Sequence, residues 1–173
     1  MIIKMLGALF IVLSTSLIGI YYANIEVYRL KDLQTLKKAF TILYSEIDFA
    51  STSLPIALEQ ISNKLNNNIG LIFKDLSMEI GKKTGENIYD IWKRIIEENI
   101  RITNLNKEDT EDLVSFGKIV GYLDKNMQLK NIQLYIKSLE DEIIKSREDK
   151  IIKSKLYKSL GLLSGLLITI VLF

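Results

Sequence analysis

Residues 5–25, MLGALFIVLSTSLIGIYYANI, and residues 159–173, SLGLLSGLLITIVLF, contain no Asp, Glu, Lys or Arg. All 21 acidic residues of the 173-residue chain lie between them. An apolar run at each end of a charged middle describes a body anchored to a bilayer at both ends. As a helix the first run is about 31 Å long, which matches a hydrocarbon core of ~30 Å. Tyr21 and Tyr22 fall where interfacial aromatics belong. The competing reading is a cleaved signal peptide with Lys4 as its charged start. No A-x-A-like site follows, however, and the uncharged run exceeds a usual h-region. The second run covers about 23 Å, and Leu156 and Tyr157, with Lys158 snorkelling, add about one turn. The expected divisions are a transmembrane helix at 1–25, a helical body at 26–155 and a second transmembrane helix at 156–173.

The flanking cations set the expected orientation. Lys4 alone precedes the first run, whereas Arg29, Lys31, Lys37 and Lys38 follow it. Lys145, Arg147, Lys150, Lys153, Lys155 and Lys158 precede or abut the second, with nothing basic after it. Both biases place the middle in the cytoplasm. The run from Lys145 to Lys158 also suits anionic headgroups, at about 1 kcal/mol per cation.

Charge and composition exclude several function classes. With Lys4 and Lys158 set aside, 21 basic residues face 21 acidic ones, so the middle offers no diffuse phosphate-binding field for nucleic acid. There is no His and no Cys, which removes the usual general base, thiolate metal sites and disulfides. No G-x-x-x-x-G-K-[ST] is present. Glu46 and Asp48 stand two apart and point to different faces of a helix, so they read as solvated surface. Neither apolar run carries a buried acid for intramembrane chemistry. The chain reads as a non-enzyme without cofactor or metal.

The middle reads as helices. Leu30, Leu33, Leu36, Phe40, Leu43 and Ile47 recur at three- and four-residue steps, and no Pro or Gly interrupts residues 21–49, so this helix can run straight on from the first span. Pro55 suits the first turn of a second helix with Ile56, Ala57, Leu58, Ile61 and Leu65, and Asn66-Asn67-Asn68 is a polar loop. A third helix is expected over about 69–82, ending at Gly85. A fourth carries Ile88, Ile91, Trp92, Ile95 and Ile96, with Trp92 in the core and its N–H partnered. Asn106 with Asp109 resembles a capped start for a fifth helix with Leu113, Phe116, Ile119 and Val120. Asp124 can cap a sixth with Ile132, Ile136, Leu139 and Ile143, unbroken up to Gly161. With no sustained period-two alternation, the fold class is all-α, an antiparallel bundle of about six helices between two transmembrane helices.

Some residues invite a sharper reading. Glu108, Asp109, Glu111 and Asp112 cluster in the first turns of a helix, where they complement the dipole and also offer a docking surface to a basic partner. Each mid-helix glycine costs about 1 kcal/mol. Gly121 is placed to end the fifth helix, whereas Gly117 reads as a tight helix contact. Gly161 and Gly165 form G-x-x-x-G, which lets another helix backbone approach closely and leaves a homo-oligomer open.

Several stretches then fall in order along nearly the whole chain. They are Leu6-Gly7-Ala8, Glu46-Ile47, Leu54-Pro55-Ile56-Ala57-Leu58, Trp92, Phe116-Gly117 with Gly121, Asp124 and Gln128, Lys158-Ser159-Leu160-Gly161 and Gly165-Leu166-Leu167. In this order, between two spans, they resemble the stage III sporulation protein AB family of endospore-forming bacteria; Val120 and Met127 depart from its pattern. The family is similar to the F-type platform proteins of type II secretion and type IV pili, which sit in the inner membrane above a hexameric ATPase. The resemblance implies a platform in the mother-cell membrane around the forespore, part of the feeding-channel complex. Its implied partners are the companion ATPase, protein AA, and other stage III A membrane proteins. The expected docking residues are Glu108, Asp109, Glu111 and Asp112 together with Phe116, Gly117, Gly121, Asp124 and Gln128. The alternative is a membrane-tethered adaptor for a soluble effector without a secretion role; gene neighbourhood separates the two.

Overall fold

Short polar punctuation cuts the chain into helices, and each cut has a local cause. In the computed structural model, which describes residues 2–50, 52–120 and 124–172, the helices are α1 (Ile2–Asp48), α2 (Leu54–Lys64), α3 (Asn68–Gly81), α4 (Ile88–Asn99), α5 (Lys107–Val120) and α6 (Lys125–Leu172). A 3₁₀ turn spans Ile100–Ile102, and no strand occurs among the described residues. The all-α class holds. Pro55 occupies the first turn of α2, where its missing N–H costs nothing. The side chain of Asn67 accepts from Gly70 N at 3.0 Å to start α3, and that of Asn87 accepts from Tyr89 N at 2.9 Å to start α4. α3 ends at Gly81 rather than running to Gly85; the reversal beyond it uses Lys83 at φ 50° and Gly85 at φ 86°. Glycine alone takes that left-handed region without strain.

Glu46 is not the solvated surface residue its spacing suggests. Its carboxylate accepts from Thr52 Oγ1 at 3.3 Å and pairs with Lys64 Nζ at 3.2 Å, tying the corner between α1 and α2.

The chain forms two compact units, one from Lys31–Ile143 and one from the paired ends Met1–Leu30 and Ile144–Phe173. α1 and α6 each contribute to both. The unit boundaries fall inside these two helices, so 26–30 and 144–155 pack with the apolar ends.

In the Lys31–Ile143 unit the helices bury one aromatic cluster. Phe40 of α1 meets Phe73 of α3, Phe116 of α5 and Tyr135 of α6 edge-on, with centroids 5.9, 4.7 and 4.5 Å away. Trp92 of α4 completes it, 6.3 Å from Phe73 and 5.8 Å from Phe116. Such pairs contribute about 0.5–1.5 kcal/mol each beyond the area they bury. The Trp92 indole is fully buried and donates Nε1–H to the Leu113 carbonyl at 2.8 Å. Gly117 makes this possible, because a Cβ there would stand 2.4 Å from Trp92 Cδ1.

In the other unit, close approach is between backbones. A Cβ on Gly161 would lie 2.7 Å from the Thr15 carbonyl and 3.1 Å from Gly19 Cα; one on Gly165 would lie 3.0 Å from Val12 Cα. Both segments are long and apolar enough to cross a membrane.

Candidate partner-docking surface

The start of α5 is built by reciprocal hydrogen bonds. Asn106 Oδ1 accepts from Asp109 N at 2.8 Å, and Asp109 Oδ2 accepts from Asn106 N at 2.9 Å. This capping box satisfies two donors that a helix start would otherwise leave open. Its consequence corrects the docking surface expected from the sequence. Asp109 is buried, 6% exposed, with its carboxylate spent on the cap, so it presents nothing to a partner.

Glu108, Glu111 and Asp112 remain exposed on the same turn. Glu111 pairs with Lys107 at 3.6 Å on the open surface, which is worth well under 1 kcal/mol. Partial burial pushes the Asp112 carboxyl above its ordinary value, and the charges of Asp109, Glu142, Glu108 and Glu111 push it the same way. The turn therefore concentrates negative charge, part of which Lys107 offsets.

The second group of expected docking residues is corrected too. Phe116, 3% exposed, belongs to the aromatic cluster, and Gly117 lies under Trp92. Both are core residues, because α5 turns its Leu113, Phe116 and Val120 stripe inward. Asp124 and Gln128 hold the corner between α5 and α6. Asp124 Oδ1 accepts from Met127 N at 3.0 Å, and Gln128 Nε2 donates to the Val120 carbonyl at 3.0 Å. Asp124 is exposed and Gln128 half-buried. Gly121 lies outside the described residues.

Among the described residues no group of three or more His, Cys, Asp or Glu side chains is placed to hold a metal ion. A polar groove of about 720 Å³ runs between α2 and α3, lined by Glu59, Asn63, Asn67 and Lys74 among others. It is open to solvent.

Sequence reasoning missed two residues of consequence. Tyr135 sits three places after Ile132 on the inward stripe of α6, where the pattern marks it as core but says nothing of its hydroxyl. Gly19 has no second glycine four residues away in its run, and only the pairing of α1 with α6 shows it as the counterpart of Gly161.

Comparison with known proteins agrees with this architecture. The family model described as stage III sporulation protein AB matches residues 4–173. The stage III sporulation protein AB of Bacillus subtilis (strain 168) is 30% identical over 170 residues, covering 98% of this chain and 99% of that relative. A solved structure of a stage III sporulation protein AB has a TM-score of 0.67 at 24% identity, covering 72% of this chain and 98% of that one, and so bears on the fold. With the family match running almost from end to end, the chain belongs to the stage III sporulation protein AB family.

Proposed function

We propose that this chain is a non-catalytic membrane platform of the stage III A complex in the mother-cell membrane, linking a cytoplasmic ATPase to the membrane assembly. The apolar ends cross the bilayer, and the Lys31–Ile143 body faces the cytoplasm, on the side where the flanking lysines and arginines accumulate. The observation that carries the docking part of this reading is the exposed trio Glu108, Glu111 and Asp112 on a turn fixed by a capping box. A rigid acidic turn is a ready receptor for a basic surface, and complementary charge of this kind steers encounter and fixes register.

The test reverses Glu108, Glu111 and Asp112 to Lys together in the full chain. Asp109 is left intact because its carboxylate closes the cap. Co-purification with the ATPase, protein AA, is expected to disappear while circular dichroism shows the helix content unchanged. Retained co-purification removes this turn as the contact face.

A further inference from the structure

The antiparallel pairing of the apolar ends sets two lysines at a depth that their place in the sequence does not reveal. Gly19 lies against Gly161, the rings of Tyr22 and Tyr157 have centroids 5.9 Å apart, and Glu26 Oε1 accepts from Lys153 Nζ at 3.3 Å. Each residue gained along α1 is thus matched by one lost along α6, so Lys155 stands level with Ile25 and Lys158 level with Tyr22. α1 carries no Asp, Glu, Lys or Arg from Met5 to Ile25, and that run fills the hydrocarbon thickness. The cytoplasmic boundary of the bilayer therefore passes close to Ile25, and Lys155 and Lys158 are rooted at or just inside it. Three residues apart, they share one side of α6, and both are exposed.

No protein anion answers them. Among the described residues neither lysine makes an ion pair or a hydrogen bond. The nearest carboxylates are taken: Lys153 Nζ bridges Asp149 at 2.9 Å and Glu26 Oε1, and Glu26 Oε2 is sealed from solvent. A cation at the edge of hydrocarbon is costly without a counter-ion, and its stem runs outward until the ammonium reaches polar ground. At this depth the polar ground is the layer of lipid phosphates. Leu156 and Leu160, beside and below the lysines, are exposed, and so are Ile151 and Ile152 one turn above Lys155. Apolar surface on both sides suits the glycerol and upper acyl carbons of a lipid and does nothing for a small soluble anion. We infer that Lys155 and Lys158 clamp the phosphodiester of one anionic phospholipid of the cytoplasmic leaflet. A zwitterionic lipid fits worse, because it brings its own ammonium to a site that already holds two. Arg147 and Lys150, more than a turn further out, add only to the diffuse field that ions screen.

The inference rests on the reading that both ends cross the bilayer, and the experiment lets either fail alone. The full chain is reconstituted in phosphatidylcholine vesicles, with acyl-chain spin-labelled phosphatidylglycerol or phosphatidylcholine as the probe. Electron paramagnetic resonance reads the fraction of probe whose motion the protein restricts. Wild type is expected to select phosphatidylglycerol over phosphatidylcholine roughly fivefold. Lys155→Gln with Lys158→Gln is expected to bring that ratio close to unity with helix content unchanged, since both side chains are exposed. Lys155→Arg with Lys158→Arg should keep the selection, and Arg147→Gln with Lys150→Gln should keep most of it. Equal selection of the two lipids by wild type, selection retained in the double Gln variant at 155 and 158, or an equal loss in the variant at 147 and 150 overturns the inference and leaves the spans standing. No restricted fraction with either lipid overturns the spans as well. Inorganic phosphate displacing the labelled phosphatidylglycerol more than chloride does at equal ionic strength would assign the lysines to a free anion, and equally overturn it.

Discussion

Leu33, Phe40 and Leu43 of α1 are fully buried, whereas Leu9, Phe10 and Leu17 of the same helix are more than half exposed. The helix is continuous and both stretches carry large apolar side chains, so for these residues the difference lies in what surrounds them. In the Lys31–Ile143 unit large side chains point inward and charges point out. In the paired ends the order is inverted: Gly19, Ala23, Gly161 and Gly165 face inward, and Leu163, Leu167, Ile170 and Val171 face out. Water rewards burial of large apolar surface. Lipid gives no such reward, so helices there meet through small residues and close van der Waals contact. One chain carries both patterns, and the change occurs within α1 and within α6.

Glycine shows the same division. Gly117 is small so that an indole can lie on its helix; Gly161 is small so that another backbone can. Breaking the first should unfold the body. Trp92→Ala removes the largest fully buried side chain and leaves the Leu113 carbonyl without its donor, at an expected cost of about 3–5 kcal/mol. Gly117→Val should cost about 1–3 kcal/mol by driving the branched side chain into the Trp92 ring. Urea titration followed by circular dichroism reads both, and a Gly117→Val protein as stable as wild type would deny the tight contact.

Breaking the second should separate the ends and spare the body. Gly161→Leu places a side chain where the Thr15 carbonyl stands, so spin labels at Leu9 and Leu166 should move apart by several ångströms. The urea midpoint of the body should stay within experimental error. An unchanged label distance would show that the close backbone approach does not hold the ends together.

The smallest effect is electrostatic and has opposite signs in the two units. In the paired ends Lys153 Nζ bridges Asp149 at 2.9 Å and Glu26 at 3.3 Å. Its hydrogen bond lowers the Asp149 pKa and raises that of Lys153. A depressed carboxyl contributes stability above its unfolded value of 3.8 that is lost as pH falls through the folded value. A raised amine contributes stability below 10.5 that is lost as pH rises through its folded value. Asp112 runs the other way: its carboxyl is raised, so the folded state holds the proton more tightly, and ionisation at neutral pH works against folding. Asp112→Asn should therefore raise Tm slightly at pH 7 and lose that advantage below the unfolded value, whereas Asp149→Asn should lower Tm slightly at pH 7. Thermal scans across pH check both, and two shifts of the same sign would contradict this electrostatic reading.

Most of the fold was legible because its signals are local and periodic. Pro55, the Asn106–Asp109 pair and Asp124 each mark a helix start within their own few residues, whereas the caps made by Asn67 and Asn87 came to light only in the structure. The indole of Trp92 and the glycine at 117 were each legible, but not that one lies on the other, because residues 25 positions apart announce no contact. The docking residues were legible as charge and not as exposure. Glu108, Asp109, Glu111 and Asp112 are alike in composition, yet the cap takes the carboxylate of Asp109 and leaves the other three on the surface. Phe116 and Gly117 were misplaced for a related reason, since family likeness marks positions without saying whether they face a partner or the core.

The sequence by itself determined the class, the helix starts and the two apolar ends, because capping, periodicity and hydropathy act over a turn or two of helix. Only the tertiary structure decided which carboxylates stay exposed, that Gly19 meets Gly161, and that the Tyr135 hydroxyl is buried without a partner. Those facts depend on which helix faces come together, and that choice is made by the whole core at once.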